Sequence, residues 1–450
     1  MRVHAHDYRS LDVSGILDGA ILMHRQIAHL LTRRQNVFLH DLTRGAEQVR
    51  GLRDGDVVYA GSGPYAYLYH RWRERNGVDF RIVREVHTAL WSGYWLQEEL
   101  CAPLVRPGDI ALFPTEYTRL MYRRWFPSTD VGGSAVAYPV LDRLPRLPAR
   151  GTSSGPLRIG YLGALSLAKN FDQVLDVFSR VHRETGGAAN LVVAGKPNAP
   201  QWEDAAVLDR LARSGVDSSA VRMAGMLRPD ELSSFFTQVD VLMFPSTASR
   251  ETLGRVVLEA LAHGVAVLAA DVGPAVELLP ERNLLPSTLD TESEFVMSEV
   301  GPLGRIDGDA AVATLVERDF EPAGLLRIEP YADRTFWQAM TGRHTTPQIP
   351  ADDRITRALR VAPRTGADLG VALEESAAVF AEYFGGDSDA LLDRVAKAEA
   401  ETGRELPALR EIAGSSKRNL ADYRALPRLL DGLVLPPLSY RLSRTDEHGK

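Results

Sequence analysis

The chain has 450 residues, with 52 basic and 59 acidic side chains and a net charge of −7, which leaves no basic footprint for nucleic acid. Its length exceeds one typical core and points to two or three domains, and its 45% apolar content is that of a globular protein. The single cysteine, Cys101, excludes an intrachain disulfide, residues 1–10 are too polar for a leader, and the most apolar long stretch, 256–273, is broken by Glu259, His263 and Asp271. A protein without a transmembrane segment, in the cytoplasm, is therefore expected, its oligomeric state left open. Basic residues are nearly all arginine, so each of the five lysines stands out.

In chain order, residues 2–6 read as a short strand and 16–32 as a helix with apolar Ile16, Leu17, Ile21, Ile27, Leu30 and Leu31. Five further strand-like runs lie at 36–40, 56–60, 80–87, 109–113 and 134–138. Helical segments fall between most of them, at 65–75, 91–100 and 116–125. Strands separated by helices of this length predict a parallel, doubly wound sheet for residues 1–141. Residues 142–156, DRLPRLPARGTSSGP, have the Pro, Gly and Ser content of a linker.

The alternation then restarts, with strands at 157–163, 191–195, 221–225, 240–244 and 265–270. Helices are expected at 170–185, 202–214, 229–238, 255–263 and 274–279, giving a second such domain over 157–300. Residues 301–450 read as an insertion and helical extension, with amphipathic helices at 373–384, 389–402 and 419–433. The last of these are expected to pack back on the N-terminal domain.

The stretch 240–279 organises the whole. A buried-strand run, Val241 to Phe244, is followed by a polar loop (Pro245, Ser246, Ser249), then Gly254 and a helix, then a second strand: a βαβ unit with chemistry expected in its loop. The helix start offers free N–H groups and a positive dipole end to a phosphate. Glu251 sits in the loop and Glu259 inside the helix, so both carboxylates can face one ligand lying over the helix start. Taken alone, Glu251 reads as a capping residue and Glu259 as a solvated one; the segments around them weigh against that.

ETLGRVVLE, with FPS before it and GRVVLEALAHGVAVLA and GP-x-x-E around and after it, resembles the E-x7-E signature of retaining nucleotide-sugar glycosyltransferases of the GT-B fold, family 4 in particular. The resemblance implies two Rossmann-like doubly wound α/β domains facing a cleft. It implies that Glu251 contacts donor-sugar hydroxyls and Glu259 the ribose, with Thr252, Leu253 and Gly254 beside the diphosphate. Gly160 to Gly163 with Lys169-Asn170 resembles the family's G-R-L…K-G/N element, so Lys169 is expected to stabilise the leaving diphosphate. The usual Arg of that element is replaced by Ala164, and Arg250 and Arg255 are the nearest candidates to stand in. The segment with Gly225 and Met226 resembles the nucleobase-receiving stretch, and Lys196-Pro197 lies on the same side. In the first domain, Ser14-Gly15 resembles the glycine loop approaching donor phosphate or acceptor, and His87 occupies a position where relatives carry a His near the reacting sugar. Asp12, His6 and Asp7 are expected at the same mouth.

The expected activity is transfer of a sugar from a nucleoside diphosphate to an acceptor hydroxyl on a small molecule or glycan, with retention and front-face displacement. No cofactor or metal is required, because positive charge from the protein serves the leaving group. His4-x-His6 lacks further ligands to complete a metal site, and the DGD runs at 54–56 and 307–309 read as turns. Rival readings are a nucleotide-sugar epimerase or a phosphorylase of the same fold, and a catalytically silent partner of a true transferase, for which Ala164 is the hint.

Overall fold

The structure is a computed structural model that describes residues 1–7, 19–42, 49–61, 65–86, 101, 104–125, 131–140, 143–151, 154–248, 251–289, 302–322, 329–343 and six isolated positions beyond, among them Ile355 and Arg357. Two six-stranded sheets carry it. The first runs β2(Asn36–His40), β1(Arg2–His6), β3(Val57–Ala60), β4(Arg81–Glu85), β5(Ile110–Phe113), β6(Gly133–Val136), every pair parallel. The second runs β12(Leu284–Leu285), β11(Ala266–Ala270), β10(Val241–Phe244), β7(Leu157–Leu162), β8(Ala189–Ala194), β9(Val221–Met223), again all parallel. The strand order reverses between β1 and β3 in the first sheet and between β7 and β10 in the second. Ligand crevices of doubly wound sheets open at the carboxyl ends of strands at such switch points. Two Rossmann-like domains facing each other make the GT-B architecture.

The strands form because their residues suit burial on both faces. All four positions of β10 and all five of β11 are buried, which explains continuous apolar runs such as VLMF and AVLAA. The helix Phe171–Glu184 buries Phe171, Val174, Leu175, Val177, Phe178 and Val181, one apolar stripe at helical spacing. In the first domain the helix Gly19–Arg34 buries Met23, Ile27, Leu30 and Leu31 against its sheet.

Several expected elements differ. The segment expected as a helix at 274–279 is a 3-10 turn, Pro274–Glu277, because Pro280 disfavours helical backbone at the residue before it. The expected 229–238 helix shrinks to Leu232–Thr237, and the 202–214 helix begins with a separate 3-10 turn at Pro200–Trp202. Asp307 does not mark a turn alone: it caps the helix Gly308–Glu317, accepting from the Asp309 and Ala310 amides. Just before it, β13(Ser287–Leu289) and β14(Gly304–Ile306) form an antiparallel pair that the sequence reading missed. The expected helices at 91–100, 373–384, 389–402 and 419–433 lie outside the described residues, isolated positions apart.

After the second sheet the chain serves both halves. The Gly308–Glu317 helix packs on Phe171–Glu184, whereas the helix Asp333–Met340 lies on the first sheet, where Phe336 meets Tyr59 edge-on with ring centroids 5.9 Å apart. Among the described residues no helix is long and apolar enough to cross a membrane.

Candidate active site

A cavity of about 460 Å³ opens at the switch point of the second sheet. Gly163 brings it the loop after β7, Pro245, Ser246 and Glu251 the loop after β10, and Gly254, Arg255 and Glu259 the helix that follows. Lys169 reaches the same wall from the 3-10 turn Leu167–Lys169. Six expected site residues, Gly163, Lys169, Glu251, Gly254, Arg255 and Glu259, thus meet at one cavity of ligand-binding size.

Local backbone chemistry makes this possible. Gly254 has φ +69°, and a Cβ there would lie 2.8 Å from Phe244 Cζ, so any other residue would strain the chain's entry into the helix Arg255–Ala262. Gly195, after β8, has φ +148°, and a Cβ would meet Gly163 O at 1.7 Å. The two loops that leave β7 and β8 therefore touch backbone to backbone. Asn170, fully buried with φ +52°, ties the wall together: its amide donates to Pro245 O at 3.0 Å, Thr247 Oγ1 at 3.1 Å and Gly304 O at 3.1 Å.

Glu251 is the best-held carboxylate. Oε2 pairs with Lys169 Nζ and accepts from Ser246 Oγ at 3.2 Å, and Oε1 accepts from the Gly254 amide at 3.0 Å. Its charge and burial together raise the phenol pKa of Tyr161 and, from the other domain, of Tyr117, burial being the larger cause for each. Tyr117 therefore stays protonated beside the cleft. Glu259 is buried, and burial lifts its pKa above the ordinary value; the Arg255 guanidinium, whose Nε donates to Oε1 at 2.8 Å, pulls it back only in part. Arg255, expected as a stand-in cation for the diphosphate, lines the cavity and gives its Nε to Glu259.

The other expected site residues are distributed less tightly. Leu253 is a core residue, and Thr252 turns its carbonyl to the first domain. Gly225 has φ +67° and accepts from the Gly195 amide at 2.8 Å, while Met226 is 48% exposed; Leu227, Pro229 and Leu232 line the cavity in their place. Arg250, Ser14, Gly15 and His87 lie outside the described residues. His4 is a structural residue, held by His40 Nε2 at 2.9 Å and Asp56 Oδ2 at 3.2 Å, with burial lowering its pKa to about 4. Among the described residues no His, Cys, Asp and Glu gather as metal ligands.

The sequence reading missed how the first domain grips this loop. Thr115 and Thr118 both donate to Thr252 O, at 2.7 and 2.8 Å, one residue from Glu251. Glu277 crosses the boundary in the other direction and accepts from the Glu116 and Tyr117 amides, at 3.0 and 2.6 Å, at the start of the helix Glu116–Trp125. GP-x-x-E was visible as a motif, but not that its Glu caps a helix of the other domain.

A switch-point cavity with a held carboxylate, an ammonium and a helix start has the groups that suit a ligand carrying phosphate and hydroxyls. Residues 147–284 match the family model described as glycosyl transferases group 1. A 57-residue segment is 46% identical to the sulfoquinovosyl transferase SQD2 of Arabidopsis thaliana, covering 13% of this chain and 11% of that protein. Among solved structures the chain is similar to the pneumococcal O-GlcNAc transferase GtfA in complex with UDP and GlcNAc, with a TM-score of 0.42, 16% identity and coverage of 65% of this chain and 55% of that one. It is also similar to Anabaena HepE in complex with UDP and glucose, with a TM-score of 0.48, 13% identity, and 82% of this chain covering 100% of that one.

Proposed function

We propose that the protein is a retaining glycosyltransferase that moves a sugar from a nucleoside diphosphate to an acceptor hydroxyl, as the E-x7-E resemblance implies. The observation that carries this is the convergence of Glu251, Glu259, Lys169 and the helix start on one cavity. The match of residues 147–284 to group 1 glycosyl transferases supports it, and neighbours solved with UDP and a sugar are in keeping with it.

In this reading the diphosphate lies over the helix beginning at Arg255, Glu259 takes ribose hydroxyls and Glu251 orients the transferred sugar. Glu251 also accepts from Ser246 Oγ and the Gly254 amide, so it stays hydrogen-bonded when the Lys169 ammonium turns from it to the leaving phosphate. As the anomeric C–O bond breaks, Lys169 and the helix dipole stabilise the charge that develops on the diphosphate. The acceptor oxygen bonds to the anomeric carbon from the same face, and its proton passes to the departing phosphate oxygen. Metal independence follows if protein charge suffices. The acceptor, a small molecule or a glycan, approaches from the first domain.

The test is thermal shift and slow donor hydrolysis with UDP-, dTDP-, GDP- and ADP-sugars, with and without EDTA, for wild type, Glu251→Ala and Lys169→Ala. One nucleotide class should stabilise the protein, and both variants should lose hydrolysis. No shift with any nucleotide sugar would refute the donor site and favour the silent-partner reading, to which Ala164 in place of the usual Arg points.

A further inference from the structure

The first domain meets the candidate donor site at two places. Gln26, on the helix Gly19–Arg34, lines the cavity itself. The larger contact is made by four consecutive buried residues, Thr115 to Thr118, where the chain leaves β5 and starts the helix Glu116–Trp125. They engage two separate segments of the second domain, each beyond the carboxyl end of a strand. Thr115 and Thr118 give their hydroxyl protons to Thr252 O, in the loop after β10. The Glu116 and Tyr117 amides give theirs to Glu277, in the segment after β11.

The contact at Thr252 bears on its neighbour Glu251. A carbonyl oxygen has two lone pairs and can take both protons. The two hydroxyl oxygens are 2.8 Å apart and converge on it at 2.7 and 2.8 Å, while the Thr118 amide donates to Thr115 Oγ1 at 3.2 Å. Both threonines are buried, so water is no ready substitute for the carbonyl. Glu251 itself is folded into a tight turn. Its amide donates to Ala248 O at 3.0 Å, and its Oε1 accepts from the Gly254 amide at 3.0 Å. A shift of the Thr252 peptide therefore carries the Glu251 carboxylate with it. Bonds within the second domain set the shape of the turn; those from Thr115 and Thr118 set where it stands relative to the first domain.

We propose that Thr115 and Thr118 are positioning residues, which by holding Thr252 O from the opposite domain place the Glu251 carboxylate against the transferred sugar. The inference rests on the donor-site reading above and deepens it. Neither hydroxyl has to touch the donor. The sugar half of the donor is then aligned only with the first domain in place, whereas the nucleotide half, held by the second domain, needs no such partner.

The test compares wild type with Thr118→Val, Thr115→Val/Thr118→Val and Thr115→Ser/Thr118→Ser. Thr118→Val leaves the bond between the Thr118 amide and Thr115 intact, and the serine pair keeps both hydroxyls. Hydrolysis of UDP-, dTDP-, GDP- and ADP-sugars gives kcat and KM, and calorimetry gives the affinity for the matching nucleoside diphosphate. Loss of one neutral hydrogen bond in Thr118→Val should lower kcat about five- to tenfold. The double valine variant should lose about ten- to a hundredfold, the scale of a small misplacement of a group that orients substrate. The serine pair should restore kcat, and nucleoside diphosphate affinity should stay at the wild-type value throughout. A purely structural contact would lower melting temperature and leave the kcat of the folded enzyme unchanged, which overturns the inference while leaving the donor site standing. Nucleoside diphosphate affinity falling in step with kcat, or serine failing to restore it, overturns it likewise. If wild type neither binds nor hydrolyses any of the four nucleotide sugars, the donor-site reading falls, and the inference with it.

Discussion

Replacing Glu277 by Ala removes a carboxylate that one domain places on the start of the other domain's helix. Its two oxygens accept from the Glu116 amide at 3.0 Å and the Tyr117 amide at 2.6 Å, and the carboxylate is buried. A hydrogen bond to a charged group contributes about 1.5–3 kcal/mol, and loss of a helix cap costs about 0.5–2 kcal/mol. These overlap, since the same amides are counted in both, so the expected loss is about 2–3 kcal/mol of local stability. Hydrogen exchange resolved at the Glu116 and Tyr117 amides reads this directly. Their protection should drop roughly 30- to 150-fold, at tenfold per 1.4 kcal/mol. Glu277→Gln keeps one acceptor oxygen and should lose about half that free energy. If the Ala variant exchanges at the wild-type rate at both amides, the carboxylate is not their acceptor in solution, and this contact between the domains is not made at rest.

Glu259→Gln tests a conflict between stability and binding. Because burial raises this carboxyl's pKa in the folded state, the folded chain holds more protons than the unfolded one between the ordinary and the raised value, and stability falls as pH rises through that window. The amide removes that slope, so melting temperature above the window should equal or exceed wild type while donor affinity drops; a lower melting temperature at about pH 8 refutes it. Gly254→Ala puts a Cβ 2.8 Å from Phe244 Cζ at φ +69°, which should destabilise by about 1–3 kcal/mol in urea titration and weaken inorganic pyrophosphate binding through a displaced helix start. Gly195→Ala meets a backbone oxygen at 1.7 Å rather than a side chain that can turn away, so it should cost more than Gly254→Ala in the same titration. The reverse order contradicts the backbone contact between the two loops.

What was legible in the sequence was whatever the local pattern determines. β10 and β11 announce themselves because a strand covered on both faces must be apolar at every position, and the loop between β10 and the next helix is marked by Pro245, Ser246 and Gly254. That Glu251 and Glu259 face one ligand followed from placing that loop at a strand's carboxyl end, whereas Lys169 was added by the family resemblance alone. Contacts between distant segments left no such mark. Gln26 is one polar residue on an amphipathic helix, and nothing near it in sequence says that it reaches the other domain's cavity. Thr115 and Thr118 look like ordinary helix-start residues, and their hold on Thr252 O is visible only in three dimensions. The β13–β14 pair was hidden by shortness: three-residue strands carry too little periodicity to read. Asp307-Gly308-Asp309 misled because capping and turn chemistry use the same residues.

The segment joining the two halves has a consequence for anyone recombining them. Its composition is that of a loose tether, yet the Leu147 amide donates to Ala262 O and the Arg150 amide to Gly264 O, both at 2.9 Å. Gly264 lies so close to Pro148 O that a Cβ there would stand 2.1 Å from it. Residues 147–150 are therefore fastened to the body that holds the cavity and travel with it, so a pivot in this crossing lies upstream of them. A chimera that imports a new acceptor half should be spliced before residue 147. It should also bring its own counterpart of the helix Asp333–Met340, which is stitched to the first sheet through Arg81 and Met340 O although it comes nearly two hundred residues after that sheet ends.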